Sequence, residues 1–227
     1  IGSGLAGVST AYFLSLQGET SIAIVDCGTE NASYFRNAGH ILHGASESYR
    51  AMLAIHGKAK TDALFNLSKS FCDEIKYTIQ SLNIDCDYYQ GNYLSVATNE
   101  AEILDVRESV DLMTSSGFNS SYIESELDQF SFKDAKYARR CMLSAQANPA
   151  KVRNCLLRYL LDRGVKYYSF PVLKINECSS SSSTGDVEVV YHDGTKSYHS
   201  ALVIAANAYS PLFSDFFSNR KLIEPFR

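Results

Sequence analysis

The sequence lacks the features of a membrane protein and of a nucleic-acid-binding protein. Its apolar runs all fall short of the roughly 20 residues that a membrane-spanning helix needs, so we predict no membrane span. Its net charge is −4 and it has no cluster of Lys and Arg, which argues against nucleic acid as an electrostatic partner. With 227 residues, 45% of them hydrophobic, the chain can form one large domain or two small ones.

Patterns that would indicate a metal site are missing as well. The cysteines include no C-x-x-C pair, and the histidines show no H-x-x-x-H spacing. We therefore expect no metal site. We interpret the cysteines as reduced thiols of a cytoplasmic protein; they are Cys27, Cys72, Cys86, Cys141, Cys155 and Cys178.

The chain opens with the run IGSGLAG at residues 1–7, which has the G-x-G-x-x-G pattern of a dinucleotide-binding turn. In such a turn Gly2 lets the chain reverse sharply from strand to helix, and Gly4 leaves room for a pyrophosphate at the helix N-terminus. Gly7 lets the helix pack closely on the sheet. Ile1 is all that precedes Gly2 of the strand that such a turn follows, so we expect the natural N-terminus to lie upstream.

The residues after this run favour a bound nucleotide over a glycine-rich turn without a ligand. Residues 5–17 have the apolar spacing of a helix, and Gly18 is placed to end it. A continuous apolar strand then covers 21–26 and closes at Asp26, whose carboxylate would accept hydrogen bonds from ribose hydroxyl groups. Strand, turn, helix and terminal carboxylate are the elements that dinucleotide binding requires.

Three further helices are predicted. They cover 59–82, about 100–115 with Asn99 as N-cap, and a segment that starts at Pro149 and ends at Gly164. The first carries an apolar stripe that we interpret as core packing, formed by Leu64, Leu67, Phe71, Ile75, Ile79 and Leu82. The last has an apolar face formed by Val152, Cys155, Leu156, Tyr159 and Leu160.

The predicted strands lie between and after these helices. Residues 86–98 are tyrosine-rich and alternating, which predicts two strands around a Gly-Asn turn, whereas 118–146 are weakly patterned as loop, short helix and an edge strand. A β-meander is predicted over 172–198, with its serine-rich stretch as a solvated loop. The continuous apolar run 202–206 suits a strand buried on both faces in a parallel sheet.

Four segments of the chain resemble the flavoprotein family of D-amino-acid, glycine and sarcosine oxidases. They are the glycine run continued to Tyr12, residues 36–40, the helix that starts at Pro149 with the strand after it through Val172, and residues 201–210. The resemblance extends over essentially the whole chain but covers only the N-terminal part of such a protein. The last residues, 223–227, resemble the start of the crossover strand of that family.

The resemblance implies FAD as the cofactor. The glycine run and Asp26, where the family usually has Glu, would hold its ADP half, and Val172 would offer backbone groups to the adenine. Residues 36–41 would run beneath the isoalloxazine ring, with His40 as a polar neighbour of the flavin rather than a covalent attachment point. The implied site residues are Gly2, Gly4, Leu5, Ala6, Gly7, Asp26, Cys27, Arg36, Asn37, Ala38, Gly39, His40, Ile41, Val172, Ala205 and Ala206.

The implied fold class is α/β: an FAD-binding Rossmann-like domain of the glutathione-reductase type with a β-meander, plus part of an α+β substrate domain. The FAD-binding domain would comprise 1–83 and 147–225, and a substrate-domain segment would cover 84–146. The remainder of the substrate domain is expected beyond 227.

The implied activity is oxidation of the C–N bond of a small-molecule amine or amino acid to an imine, by hydride transfer to flavin. No catalytic residue is assigned. Alternatives are a tRNA wobble-uridine-modifying oxidoreductase of the same family, an NAD-dependent Rossmann dehydrogenase and a non-catalytic fragment. The lack of a basic patch argues against the first alternative, and the β-meander before 202–206 argues against the second.

Overall fold

A computed structural model of the protein describes residues 1–28, 32–123, 135, 137–178 and 186–213. The predicted serine loop at 179–183 and the segment 223–227 lie outside these ranges. The chain divides into two compact units. The terminal unit comprises Ile1–Asn37 and Pro149–Arg227, and the central unit comprises Ala38–Asn148.

The helices and strands of the described residues are numbered in chain order. They are α1 (Leu5–Leu16), β1 (Ala23–Asp26), β2 (His40–Ile41), α2 (Tyr49–Ser81), β3 (Tyr89–Ala97), α3 (Glu100–Ser115), β4 (Ser120–Ile123), β5 (Tyr137–Gln146), α4 (Pro149–Leu161), β6 (Lys166–Ser169), β7 (Val172–Glu177), β8 (Val187–Tyr191) and β9 (Lys196–His199). Within these ranges, 3₁₀ turns cover Ser33–Phe35 and Asn207–Leu212.

The boundary between the units differs from the predicted domain boundary on its N-terminal side. Residues 38–83 belong to the central unit, whereas the prediction grouped them with the glycine run. The reason is packing: Phe65 of α2 forms one buried cluster with Met113 of α3 and with Phe118 after it. On the C-terminal side the predicted boundary at 147 lies close to the observed one at Pro149. The roles of the two units as cofactor and substrate domains remain predictions.

The terminal unit combines a parallel strand pair, two helices and an antiparallel meander. β1 and β6 pair in parallel, and β7, β8 and β9 pair in sequence order. The helices α1 and α4 pack together, with the rings of Tyr12 and Tyr159 edge to face at 5.4 Å between centroids. The fully buried Leu160 of α4 and Val8 of α1 belong to the core of this unit. The meander follows the predicted bounds closely, because alternation and the Asp193-Gly194 turn are local signals.

The strand predicted over 202–206 does not form within this described segment. Its backbone is hydrogen-bonded to Ile1 instead: the Ile1 amine donates to the Val203 carbonyl at 2.7 Å, and the Ala205 N–H donates to the Ile1 carbonyl at 2.7 Å. These two hydrogen bonds make a single parallel bridge, and the segment forms no strand. Val203 is 49% exposed, where the prediction had it buried.

The central unit is organised around β5. This strand pairs antiparallel with β3 along one edge and with β2 and β4 along the other. One prediction is therefore wrong. Within 86–98 the chain forms one strand, β3, with an irregularity between Gly91 and Tyr93 instead of a hairpin, because β5 offers a continuous partner. The edge strand expected within 118–146 fits β4, which pairs with β5, whereas the central strand β5 was not predicted.

Helix α2 is kinked at Gly57, where φ is 74° and ψ is 166°, and its inner face differs from the predicted stripe. The buried residues include Thr61, Phe65 and Ile79. Most of the predicted stripe is exposed, at 44, 49, 58 and 39% for Leu64, Leu67, Phe71 and Ile75. Thr61 can face the interior because its hydroxyl donates to the Gly57 carbonyl at 2.9 Å, and Phe65 lies one turn further along that face.

The described residues include no helix that is long and apolar enough to cross a membrane. They also contain no group of three or more His, Cys, Asp and Glu side chains placed to hold a metal ion. The six cysteines, all within the described ranges, are free thiols.

Candidate dinucleotide-binding site

The glycine run forms a sharp turn between Gly2 and α1. Gly2 has φ 100°, in the left-handed region, and a Cβ there would clash with the carbonyl oxygen of Ala205. A Cβ on Gly7 would clash with the carbonyl oxygen of Gly2. The Gly2 N–H donates to the Val25 carbonyl at 2.8 Å, which ties the turn to β1. Packing against backbone therefore requires glycine at both positions.

Gly4 is different, because its own surroundings do not require a glycine. Its φ is −67° and its ψ is −176°, a conformation that any residue can adopt. No heavy atom of the described residues lies within 4 Å of where its Cβ would be. The missing side chain thus leaves open space in front of the turn, as a phosphate group would need.

The N-terminus of α1 offers backbone donors to that space. The first N–H groups of a helix, here those of Leu5, Ala6 and Gly7, have no partner within the helix. Within the described residues no side chain caps this end, and the first turn has no acidic residue. Free N–H groups and the positive end of the helix dipole both favour an anion. The open space and these donors together fit the pyrophosphate of a dinucleotide.

Asp26 lies at the end of β1, beside the turn. One carboxylate oxygen accepts the Ser3 N–H at 2.7 Å, and the other accepts the Gly28 N–H at 2.8 Å. Burial by itself would raise the pKa of Asp26, but these two backbone hydrogen bonds, the Ser3 side chain and the charge of Arg153 outweigh burial and lower the pKa below 3.8. The ionised carboxylate keeps lone pairs that can accept ribose hydroxyl groups.

Two residues that support this turn were not predicted from the sequence. Ser3 is 2% exposed and Arg153 of α4 is 8% exposed. The Arg153 Nε donates to the Ser3 carbonyl at 2.7 Å, and its Nη2 donates to the Ser3 hydroxyl at 2.5 Å. The sequence did contain one indication for Arg153. Arg153, Leu156 and Leu160 are spaced three and four residues apart, as residues on one side of a helix are, and they form the buried side of α4. The predicted apolar face included Cys155 instead, which is exposed.

The other residues predicted for the ADP half lie in the terminal unit. Ala205 is brought against Gly2, and Ala206 precedes the 3₁₀ turn Asn207–Leu212. Val172 is the first residue of β7 and pairs with Tyr191 of β8. Cys27, directly after Asp26, is an exposed thiol.

The predicted flavin-side segment is divided between the two units. Arg36 and Asn37 follow the 3₁₀ turn Ser33–Phe35 in the terminal unit, and Ala38 begins the central unit. His40 and Ile41 form β2, opposite Gln146 and Ala145 of β5. The Gly39 carbonyl accepts the Ala147 N–H at 3.0 Å, so β5 and the residue after it fix the backbone of this segment.

Comparison with known proteins identifies a family. The family model described as FAD dependent oxidoreductase matches residues 1–227. A search of curated proteins found no match.

Several solved structures share the fold. The L-amino acid deaminase from Proteus vulgaris with its specific insertion sequence deleted is 20% identical, with a TM-score of 0.74, and the match covers 96% of this chain and 54% of that chain. Glycine oxidase from Geobacillus kaustophilus is 18% identical, with a TM-score of 0.74 and coverage of 92% and 54%. L-proline dehydrogenase from P. horikoshii is 15% identical, with a TM-score of 0.68 and coverage of 99% and 56%. This chain spans about half the length of these proteins, and the likeness confirms the predicted fold class.

Proposed function

This chain belongs to the FAD-dependent oxidoreductase family whose model matches it from Ile1 to Arg227, and on that premise we propose that the complete protein oxidises the C–N bond of an amine or amino acid. The cofactor of the family is FAD. The substrate would lose a hydride from the carbon next to its nitrogen and a proton from the nitrogen, giving an imine that water hydrolyses to a carbonyl compound. FAD, when bound, supplies the two-electron acceptor for this reaction.

The geometry of the glycine turn fits the ADP half of that cofactor. The N–H groups of Leu5, Ala6 and Gly7 would donate to the pyrophosphate across the space that Gly4 leaves open. The Asp26 carboxylate would accept hydroxyl groups of the adenosine ribose. These groups bind and orient the cofactor, and the chemistry at the substrate is assigned to no residue of this chain.

The substrate class is supported by the solved structures that share the fold. Their names are those of a glycine oxidase, an L-amino acid deaminase and an L-proline dehydrogenase, so each name contains an amino acid. The sequence also has no second G-x-G-x-x-G fingerprint that could hold NADH beside FAD. We therefore assign the amine, and not a nicotinamide, as the electron donor.

Anaerobic reduction of the purified complete protein tests this assignment. Glycine, sarcosine, L-proline, other L- and D-amino acids and polyamine derivatives are added separately, and the visible absorbance of the oxidised flavin is followed. At least one of these amines is expected to bleach the flavin rapidly, and NADH alone is not. Rapid bleaching by NADH with none by any amine would contradict the proposed reaction, while FAD binding itself would still stand.

A further inference from the structure

Arg153 is a buried cation whose hydrogen bonds are directed to the glycine turn. It is 8% exposed, and removing a guanidinium from water is unfavourable unless its donors find partners. Its Nε and Nη2 hold the carbonyl and the hydroxyl of Ser3, and its Nη1 donates to the Asn154 amide oxygen at 3.0 Å. Its Cζ lies over the Tyr34 ring, 5.0 Å from the centroid. The side chain is thereby fixed in position and direction.

The hydrogen bond to the Ser3 carbonyl also sets the direction of a donor in the phosphate-binding turn. The Ser3 carbonyl and the Gly4 N–H belong to one peptide group, and in a trans peptide these two groups point in opposite directions. Arg153 therefore fixes the direction in which the Gly4 N–H points. The preceding peptide group is fixed independently, because the Ser3 N–H donates to Asp26 at 2.7 Å.

Without the Arg153 contacts the peptide group between Ser3 and Gly4 would be held less firmly, although Gly2 would still be tied to β1. Gly2 and Gly4 lose more conformational freedom on ordering than other residues would. If binding has to order the turn, the cost of ordering reduces the binding free energy of the ligand. If the turn is already ordered before binding, that cost does not arise. The positive charge of Arg153 also has the sign that favours an anion beside the turn.

We propose that Arg153 is a positioning residue for FAD, which holds Ser3 so that the Gly4 N–H and the first N–H groups of α1 are already directed at the pyrophosphate. This inference rests on FAD as the cofactor and is independent of which substrate is oxidised. The proposal predicts that Arg153 raises the affinity for the ADP portion of the cofactor without contacting the cofactor itself.

The test compares Arg153→Lys with Arg163→Lys in the complete protein. Lysine keeps the charge but lacks the planar fork that reaches two Ser3 atoms together. Arg163 is a matched control, because it follows α4 and also lies over a tyrosine, with its Cζ 3.6 Å from the Tyr159 ring centroid. The apoproteins are titrated with FAD and with ADP. Arg153→Lys is expected to weaken both ligands by a similar factor, on the order of tenfold or more, and Arg163→Lys is expected to weaken neither.

A second measurement separates positioning from general stability. Millimolar guanidinium chloride, far below denaturing concentrations, is added to Arg153→Ala, with methylammonium chloride as the comparison. Guanidinium is expected to restore ADP affinity because it can bind in the vacated space with the same planar donors, and methylammonium is not. Should these variants fail to fold, Ser3→Ala replaces them, since it removes one of the two Ser3 acceptors and is expected to weaken ADP severalfold.

The outcomes separate cleanly. Unchanged FAD and ADP affinities in Arg153→Lys would overturn the proposal, whether or not its melting temperature falls. Equal rescue by both cations would also overturn it, as would an unchanged ADP affinity in Ser3→Ala. A wild-type protein that binds FAD but oxidises no amine would contradict the proposed function and leave these comparisons fully interpretable.

Discussion

Replacing Gly4 by valine is expected to abolish FAD binding and to leave the folded apoprotein nearly unchanged. The backbone at Gly4, with φ −67° and ψ −176°, is accessible to any residue. Gly4 is also the N-cap of α1, where valine is a poorer cap than glycine by up to about 1 kcal/mol. Replacing glycine reduces the freedom of the unfolded chain, which stabilises by about 0.4–1 kcal/mol. The two effects have opposite signs, so the net change in the free energy of unfolding should stay within about 1 kcal/mol.

The effect on FAD is expected to be much larger. A side chain at Gly4 enters the space in which the described residues place no atom within 4 Å, and it would keep the pyrophosphate away from the N–H groups of α1. Each hydrogen bond to a charged group contributes about 1.5–3 kcal/mol, so losing two costs about 3–6 kcal/mol. Since about 1.4 kcal/mol corresponds to a tenfold change, the affinity should fall about a hundredfold to ten-thousandfold.

The assay measures the flavin content of the purified protein and the urea midpoint of the apoprotein. Gly4→Val should be colourless with a nearly wild-type midpoint. Gly7→Ala is the contrasting variant, because its methyl group meets the Gly2 carbonyl and overpacking costs about 1–3 kcal/mol or more. Wild-type flavin content in Gly4→Val would refute the assignment of the turn as the cofactor site. Unfolding of Gly4→Val as severe as that of Gly7→Ala would refute the argument that Gly4 faces open space.

Two further substitutions test the carboxylate of the site and a predicted helix cap. Asp26→Asn replaces one of the two acceptor oxygens by an NH2 donor that faces a backbone N–H, and it should cost about 1–3 kcal/mol in urea unfolding at neutral pH. Because the folded-state pKa of Asp26 is lowered, its stabilisation is present above 3.8 and is lost as the pH falls below that value, so the difference from wild type should shrink there; a constant difference would contradict this account. Asn99→Ala removes the cap that accepts the Glu102 N–H at 3.0 Å and should cost about 1 kcal/mol, whereas Asn99→Asp keeps the acceptor and should cost little; equal unfolding of the two variants would argue against the cap.

Elements with local signals could be predicted closely from the sequence. Helix α3 lies where it was expected, since Asn99 caps its first turn and Gly117, with φ 83°, follows its last. Helix α1 and the meander are similar cases. In each of these elements a cap, a glycine in the left-handed region or a strict alternation lies within a few residues of the boundary that it sets.

Strand β5 could not be predicted, because its structure depends on distant partners. Its sequence, YARRCMLSAQ, shows no alternation of apolar and polar residues. The adjacent Tyr137 and Ala138 are both buried, so both faces of the strand are covered. Opposite Gly91 and Tyr93, β5 also advances one residue more than β3 does, which breaks the period of two. Pairing with three other strands stabilises β5 in spite of its sequence.

Helix α2 was assigned the wrong face for a related reason. Apolar residues lie on two neighbouring sides of it: Leu64 and Phe71 of the predicted stripe are exposed, whereas Phe65, outside that stripe, is buried together with Ile79, which the stripe did include. Periodicity identifies an amphipathic helix but does not choose between neighbouring stripes. The choice is made by Phe118, whose ring lies 5.5 Å from that of Phe65 and whose position depends on the tertiary fold.

The phosphate-binding glycine turn could also be predicted only in part from the sequence. Its glycines are recognisable because function requires side chains to be absent, yet a glycine-rich turn cannot stabilise its own conformation. Support has to come from hydrogen bonds made by other parts of the chain. Here the variable position of the motif, Ser3, receives that support on both sides, from Asp26 and from Arg153, which lies 150 residues away in sequence. A fingerprint of consecutive residues can therefore locate the phosphate-binding turn, and only the fold reveals which side chains keep it in its binding conformation.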